Sequence, residues 1–255
     1  MKIFITKNKW VSKTAILIVW LLFWQILFIM VNKEVLIASP IHVFQTFFSL
    51  CLEESFWFTI FSSLFRILIG YLCSVFFGIL FAILCYRSKI LYEIFLPAVQ
   101  VMKATPVASF SILVLLWVKT DMVPVVISFL MVFPSIWTNV RIGISQTKKQ
   151  HLEMAKVYGF SPLKTCRYIY LPSVLPYFIS ACHAGIGMAW KAGIAAEVIC
   201  TPPASIGKKI YETKIYLETS ELFVWTICAI LFSILLEKCF LKLLYYFTRK
   251  MGIFL

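Results

Sequence analysis

Six long apolar runs divide the chain, and each is long enough to cross a lipid bilayer. They lie at about residues 14–31, 58–85, 95–118, 122–140, 174–199 and 222–245. A spanning helix needs about 20 mostly apolar residues, because hydrocarbon offers the backbone no hydrogen-bond partners. The pattern therefore predicts an all-α polytopic membrane protein with about six transmembrane helices.

The composition narrows the class of protein in the same direction. Hydrophobic residues make up 62% of the 255 residues and charged residues 14%, whereas soluble globular proteins are roughly 45–50% apolar. Soluble domains, disordered chains and secreted disulfide scaffolds are excluded. The first apolar run follows four lysines, but no small-residue cleavage site comes after it, so we expect an uncleaved first helix.

Lysine and arginine are unevenly distributed between the two sides of the predicted spans. Of the 24 such residues, sixteen fall on one side, five on the other and three within spans. Because positively charged loops stay in the cytoplasm, this distribution predicts that both termini are cytoplasmic. It also explains the net charge of +13 without a nucleic-acid partner.

Three regions follow from this topology. Residues 1–56 hold a cytoplasmic tail, the first transmembrane helix and an outer interfacial segment, whose apolar positions between Ile41 and Leu50 fall mostly on one helical face. Residues 57–248 form the membrane core with a cytoplasmic loop at 141–172. Residues 249–255 form a cytoplasmic tail.

Four charged residues lie inside the predicted spans, namely Arg66, Lys103, Lys191 and Glu197. Charges in a bilayer are costly and normally face protein or water. Two interpretations remain open: the residues line a translocation pathway, or they form internal ion pairs that lock helices together. Three basic groups against one acidic group favour an anion in such a pathway.

The fifth predicted span carries a four-residue row of small side chains, Ala181, Gly185, Ala189 and Gly193. Such rows let helix backbones approach closely in lipid. The row predicts a central helix, packed either within one subunit or against a second copy of the chain.

The loop at 141–172 predicts two short helices separated by a break. Gly159 suits a helix C-terminal position with positive φ. Ser161 suits an N-cap, with Pro162 at the first helical position. Pro172 is expected to mark the point where the chain turns back into the membrane. Such a rigid corner can dock into a partner and transmit its motion.

This loop resembles the E-A-A-x-x-x-G-x(9)-I-x-L-P signature of permease subunits of bacterial binding-protein-dependent ABC importers. The matching residues are Glu153, Ala155, Gly159, Ile169, Leu171 and Pro172. Met154 replaces the central alanine, and Phe160 stands where the family often has alanine. Residues 63–70 resemble the start of the permease core, and residues 104–106 resemble its kinked third-span motif. Residues 190–197 resemble the fifth span of the nitrate/sulfonate/taurine-type subfamily, and the segment at 39–44 resembles its outer segment.

The resemblance implies a type I ABC importer permease fold in the bacterial inner membrane. It implies a second permease subunit, two cytoplasmic ATPase subunits and an extracytoplasmic solute-binding protein. A homodimer is expected for the permease pair, and a heterodimer is the alternative. The residues implied in ATPase coupling are Glu153, Ala155, Gly159, Ser161, Pro162, Ile169, Leu171 and Pro172. Arg66, Lys103 and Lys191 are subfamily features shared among permeases for different solutes, which weakens the argument for an anion.

The sequence predicts a non-catalytic subunit. It has no P-loop glycine pattern, no hydrolase motif and no metal-ligand cluster, so ATP and Mg²⁺ are expected to be used by the partner ATPase. The solute is left open among sulfonates, nitrate, taurine, bicarbonate and vitamin-precursor pyrimidines. The alternatives are a passive channel, which would not need the cytoplasmic corner, and a membrane-embedded enzyme.

Overall fold

The computed structural model describes residues 9–250, with the side chains of residues 9–13, 17, 245 and 247–250 left aside. The predicted tails, with Lys2 and Lys7 at one end and residues 251–255 at the other, lie outside the described residues. Within residues 9–250 every regular element is helical. The helices are α1 (Lys9–Val31), α2 (Pro40–Cys51), α3 (Glu54–Arg87), α4 (Lys89–Ala104), α5 (Val107–Val114), α6 (Val123–Ser145), α7 (Lys149–Val157), α8 (Pro162–Thr165), α9 (Leu171–Cys200), α10 (Ile206–Ile215) and α11 (Thr219–Lys250).

Four helical runs in the described part of the chain are long and apolar enough to cross a membrane: Thr14–Val31, Glu54–Arg87, Thr120–Ser145 and Pro162–Cys200. A fifth is counted if α4 and α5 together form one broken span. The all-α polytopic architecture is therefore confirmed. The sixth predicted span falls within α11, a helix of 32 residues, and its passage through the membrane stays a prediction.

The third predicted span, at 95–118, is not one straight helix. It is divided between α4 and α5, whose axes are bent by 109°. The break falls at Thr105 and Pro106, which have extended backbones with ψ of 124° and 130°. A proline forces the preceding residue out of the helical region, which explains why the helix ends before Thr105.

The chain does not turn at Pro172, contrary to the sequence expectation. A π-helical turn, Cys166–Tyr170, joins α8 to α9, so that residues from Pro162 to Cys200 form one helical run of 39 residues. Pro172 lacks an N–H and its ring clashes with the carbonyl four residues earlier in an ordinary helix. The wider turn directly before it is where such a clash is relieved.

The chain forms two compact units. Of the described residues, the first comprises 9–58 and 209–228. In it, Phe56 lies against Trp225 with ring centroids 4.9 Å apart, and the Thr219 hydroxyl donates to the carbonyl of Val35 at 2.7 Å. Helix α2 begins at Ser39, whose side chain accepts from the N–H of His42, with Pro40 in the first turn.

Of the described residues, the second unit comprises 59–208 and 229–250. Its core lies where α3, α6 and α9 pack together, and it contains the fully buried side chains of Ile67, Ile127 and Ile186. The region boundaries predicted at residues 56/57 and 248/249 stay predictions.

Candidate functional site

The end of α7 is closed by a hydrogen-bonded glycine turn. Gly159 has φ of +64°. Its N–H donates to the carbonyl of Lys156 at 3.1 Å, and the N–H of Phe160 donates to the carbonyl of Ala155 at 2.9 Å. This pair of bonds is the Schellman motif, which requires a residue in the left-handed region. Glycine adopts that conformation at no steric cost, so the sequence determines where α7 stops.

The start of α8 is fixed by its own cap. The Ser161 hydroxyl accepts from the N–H of Lys164 at 3.3 Å, and Pro162 occupies the first turn. We call residues 149–165 the α7–α8 corner. Because both helix ends are closed by local bonds, the corner is a defined shape rather than a loose loop.

The α7–α8 corner has one buried anchor and an exposed apolar surface. Ala155 is 2% exposed. Four apolar side chains point outward, namely Met154, Val157, Tyr158 and Leu163, and Leu163 is 83% exposed. Glu153, Ser161 and Pro162 are also exposed. Further along, Ile169 is buried within the π-helical turn, while Leu171 and Pro172 begin α9. Exposed apolar side chains on an ordered corner are typical of a protein contact surface.

A second constellation lies at the other end of α9. Glu197 is fully buried. Its Oε2 accepts from the Ser63 hydroxyl at 2.9 Å and from the N–H of Gly207 at 3.2 Å. The Ser63 oxygen in turn accepts from the N–H of Ile206 at 2.9 Å. Glu197 and Ser63 therefore accept hydrogen bonds from N–H groups in the first turn of α10. A negative charge at this end of a helix is also stabilised by the helix dipole.

Arg66 lies one turn beyond Ser63 on α3 and holds the chain that connects α9 to α10. Its guanidinium donates to the carbonyls of Ala204 at 3.1 Å and Pro203 at 2.8 Å, and pairs with Asp121 at 2.9 Å. Ala204 has φ of +48°, a conformation that is costly outside glycine and persists only when surrounding contacts impose it.

We call Ser63, Arg66, Asp121, Glu197 and Gly207 the polar junction. Sequence reasoning singled out Arg66 and Glu197 but missed the other three as site residues. Ser63 carries a signal, because it lies three residues before Arg66 on the same helix face. Nothing in the sequence marks Gly207 as a site residue. A glycine is needed at this position because a Cβ there would meet the backbone of α9 at Glu197 and Val198.

The two remaining intramembrane charges lie apart from the polar junction. The Lys103 ammonium, at the end of α4, donates to the Thr138 hydroxyl of α6 at 3.0 Å and is exposed. Lys191 is exposed on α9. Of the four charged residues, Arg66 and Glu197 are therefore held by hydrogen bonds within the subunit, whereas Lys103 and Lys191 are exposed.

The small-residue row of α9 packs against α3 and α6 of the same chain. Ala181, Gly185, Ala189 and Gly193 are all buried. A Cβ on Gly193 would lie 2.5 Å from Ile67, and one on Gly185 would lie 3.0 Å from Val132. The Ser128 hydroxyl donates to the carbonyl of Ala189 at 3.2 Å. The row is therefore occupied by contacts within the subunit.

Comparison with known proteins identifies the family to which the chain belongs. Residues 74–253, well over half of the chain, match the binding-protein-dependent transport system inner membrane components. The chain belongs to this family. It is a transmembrane subunit of an ABC importer and a multi-pass protein of the inner membrane.

Relatives of this importer subunit include permeases with different named solutes. It is 26% identical to the nitrate import permease protein NrtB of Synechocystis over 206 residues, which cover 77% of this chain and 74% of the relative. It is 29% identical to the bicarbonate transport system permease protein CmpB of the same organism, over 62% and 56% of the two chains. It is 24% identical to the putative aliphatic sulfonates transport permease protein SsuC of Bacillus subtilis, over 76% and 70%. The resemblance to the nitrate/sulfonate/taurine subfamily is confirmed.

Proposed function

We propose that this chain supplies half of the membrane pathway of an ATP-driven importer for a small anion. In this proposal two copies form the pathway, two cytoplasmic ATPase subunits contact the α7–α8 corners, and an extracytoplasmic protein delivers the solute. The termini are cytoplasmic, and ATP and Mg²⁺ bind to the ATPase subunits. The observation that carries the proposal is the corner itself, an ordered helix–glycine–helix element that exposes apolar side chains.

The connection between the corner and the membrane supports a mechanical role. Residues 162–200 form one helical run, so a displacement of α8 is passed to α9 without a flexible joint. Helix α9 is in turn packed tightly on α3 and α6 through Gly185 and Gly193. Closure of the ATPases would therefore move these helices as a body, as in other rigid-body transitions.

The exposed faces of α3 and α9 differ in chemistry, which supports a position for the pathway. Large apolar side chains cover the exposed face of α3, including Phe61, Phe65, Leu72 and Phe76. The exposed face of α9 instead carries Ser180, His183, Ala184 and Lys191, interrupted by the apolar Met188. Polar and charged groups at membrane depth face protein or water rather than lipid, so we place the pathway along this face of α9.

An anion is the solute class that this face and the relatives favour. Nitrate, bicarbonate and sulfonates are named for the relatives, and all three are anions. Lys191 and Lys103 would attract them along the pathway, whereas Arg66 and Glu197 serve as internal contacts that hold α10.

Reconstitution tests the proposal. The permease, purified with its ATPase and its binding protein, is placed in liposomes, and uptake of isotope-labelled nitrate, bicarbonate and an alkanesulfonate is measured with and without ATP. We expect uptake of one of these anions only with ATP, and loss of that uptake in Glu153→Ala. Glu218→Ala is the matched control, since Glu218 is equally exposed but lies outside the corner. Flux that persists without ATP would instead favour the passive channel.

A further inference from the structure

An apolar cavity of about 260 Å³ lies between α3, α4 and α6. Five phenylalanines line it, Phe77, Phe81, Phe95, Phe129 and Phe133, and aliphatic side chains of α4 complete its wall. The rings of Phe81 and Phe95 lie 4.8 Å apart, which ties α3 to α4 at the cavity wall. Only apolar atoms face the interior. Apolar cavities of about 150 Å³ already stay dry and take up apolar molecules, so an apolar occupant is expected here.

The cavity opens on an exposed apolar surface. Phe77 and Ala98, two of its lining residues, are exposed. The neighbouring exposed side chains of α3 are Phe76, Leu80 and Ile83, all apolar. Helix α3 is among the helices able to cross the membrane. The mouth of the cavity is therefore continuous with an exposed apolar face of a helix that is able to span the membrane.

Two basic residues lie at one end of the same two helices. Arg87 is the last residue of α3 and Lys89 is the first residue of α4. Phe81 precedes Arg87 by six residues, and Phe95 follows Lys89 by six residues. At 1.5 Å per residue, each phenylalanine backbone lies about 9 Å along the helix axis from the basic residue.

Both basic side chains are available to a ligand. Arg87 is exposed. The Lys89 side chain is 88% exposed, and its 3.8 Å contact with Glu93 is long for an ion pair. An exposed pair of this kind contributes little, so it does not prevent Lys89 from binding an anion.

We propose that an anionic phospholipid binds here, with one acyl chain in the phenylalanine-lined cavity and its phosphate at Arg87 and Lys89. A phospholipid joins an apolar chain to a charged group at a short distance, which is the arrangement that these residues present. Basic sites between membrane helices bind anionic headgroups in this way. An apolar side chain from a second subunit would fill the cavity but would leave the two cations unmatched.

The test uses the full-length permease in bilayers of phosphatidylethanolamine with phosphatidylglycerol as the minor component. The protein is extracted in mild detergent, and retained lipid is counted by native mass spectrometry. We expect phosphatidylglycerol to be retained preferentially. Ala98→Phe fills the cavity from an exposed position and should abolish the retention. Val101→Phe is the matched control, since Val101 is an exposed residue of the same helix that does not line the cavity.

The headgroup part of the proposal has its own variants. Arg87→Gln and Lys89→Gln should each reduce the preference for phosphatidylglycerol about fivefold, the factor that corresponds to one basic residue near an anionic membrane surface. Absence of bound phosphatidylglycerol in the wild type, or equal retention in Ala98→Phe and Val101→Phe, would overturn the proposal. So would a loss of subunit association in Ala98→Phe with lipid retention unchanged, because a second copy would then be the occupant.

Discussion

The two ends of α9 are held in opposite ways. At its C-terminal end, the polar junction surrounds a fully buried carboxylate with groups of the same chain, Ser63 and the N–H of Gly207. At its N-terminal end, α9 continues from the α7–α8 corner, where Leu163 and Val157 are more than four-fifths exposed. One end bonds one oxygen of its buried carboxylate, Oε2, to groups of the same chain, and the other end leaves apolar side chains exposed.

This difference predicts that the polar junction mainly determines the stability of the subunit and that the α7–α8 corner mainly determines coupled transport. Buried hydrogen-bonded charges are costly to disturb, because the partners left behind lose their bonds without regaining water. Exposed apolar side chains add little to the stability of the subunit but contribute to an interface once a partner covers them. Variants of the junction should therefore lower stability first, and variants of the corner should lower coupled transport with stability preserved.

The largest effect is expected for Glu197→Ala. The substitution removes the acceptor for Ser63 and Gly207 and leaves the nearby Arg66 with one carboxylate fewer to balance it. We expect the free energy of unfolding to fall by about 3 kcal/mol, because two buried donors, the Ser63 hydroxyl and the Gly207 N–H, lose their acceptor. Thermal unfolding of the detergent-purified protein, followed by the loss of its monodisperse elution, measures this effect.

Two controls sharpen this prediction. Glu197→Gln keeps the shape and one acceptor oxygen, so its loss should be smaller, about 1 kcal/mol. Glu153→Ala removes an exposed carboxylate from the corner and should leave the unfolding temperature unchanged. If Glu197→Ala and Glu153→Ala were equally stable, the contrast between the two ends would be wrong.

The sequence predicts the α7–α8 corner well but predicts little of the polar junction. The turn at Gly159 follows from local rules, since a glycine, a serine cap and a proline each favour one backbone conformation, and the structure has the expected cap. The contacts of Glu197 are not local: Ser63 is 134 residues away in the chain. Sequence alone left pathway and internal contact open for Glu197, because only the folded arrangement brings α3, α9 and α10 together.

The same limit explains one misplaced boundary. The break at Thr105 and Pro106 carries a proline signal, and the resemblance predicted a kink there within one span, which the bend between α4 and α5 matches. The continuous helix through Pro172, by contrast, was missed. Proline predicts a turn, and the π-helical turn that accommodates it has no reliable pattern of its own.

The second largest effect is expected for Gly159→Val. A β-branched residue at φ of +64° costs about 1–2 kcal/mol in local conformation, and no neighbour within 4 Å of a Cβ there adds a clash. We expect the corner to distort, with ATP-driven uptake strongly reduced and membrane insertion normal. Uptake per inserted protein in reconstituted liposomes measures this outcome.

Gly159→Asn is the matched control for that experiment. Asparagine tolerates the left-handed conformation better than other non-glycine residues, so most of the uptake should be retained. Equal loss in the valine and asparagine variants would mean that the glycine turn is not what matters at this position.

A smaller effect on the subunit itself is expected for Leu163→Ser. Leu163 is 83% exposed and makes little contact within the subunit, so the unfolding temperature should not change. Its loss should weaken the proposed contact with the ATPase, measured as the fraction of ATPase that co-purifies. Lys164→Ala, at the adjacent exposed position, should have a weaker effect. Unchanged co-purification in Leu163→Ser would remove the corner's apolar surface from the coupling proposal.

The smallest structural effect is expected for Lys191→Gln. Lys191 is exposed on α9 and contributes nothing to the polar junction, although it lies only six residues before Glu197. Stability and ATPase co-purification should both be unchanged, whereas the affinity of uptake for the anion should fall, because one positive charge is removed from the proposed pathway. Lys191→Arg should restore part of that affinity, since it keeps the charge. If the unfolding temperature fell instead, Lys191 would have a structural role like that of the polar junction, and it would no longer support a pathway along the exposed face of α9.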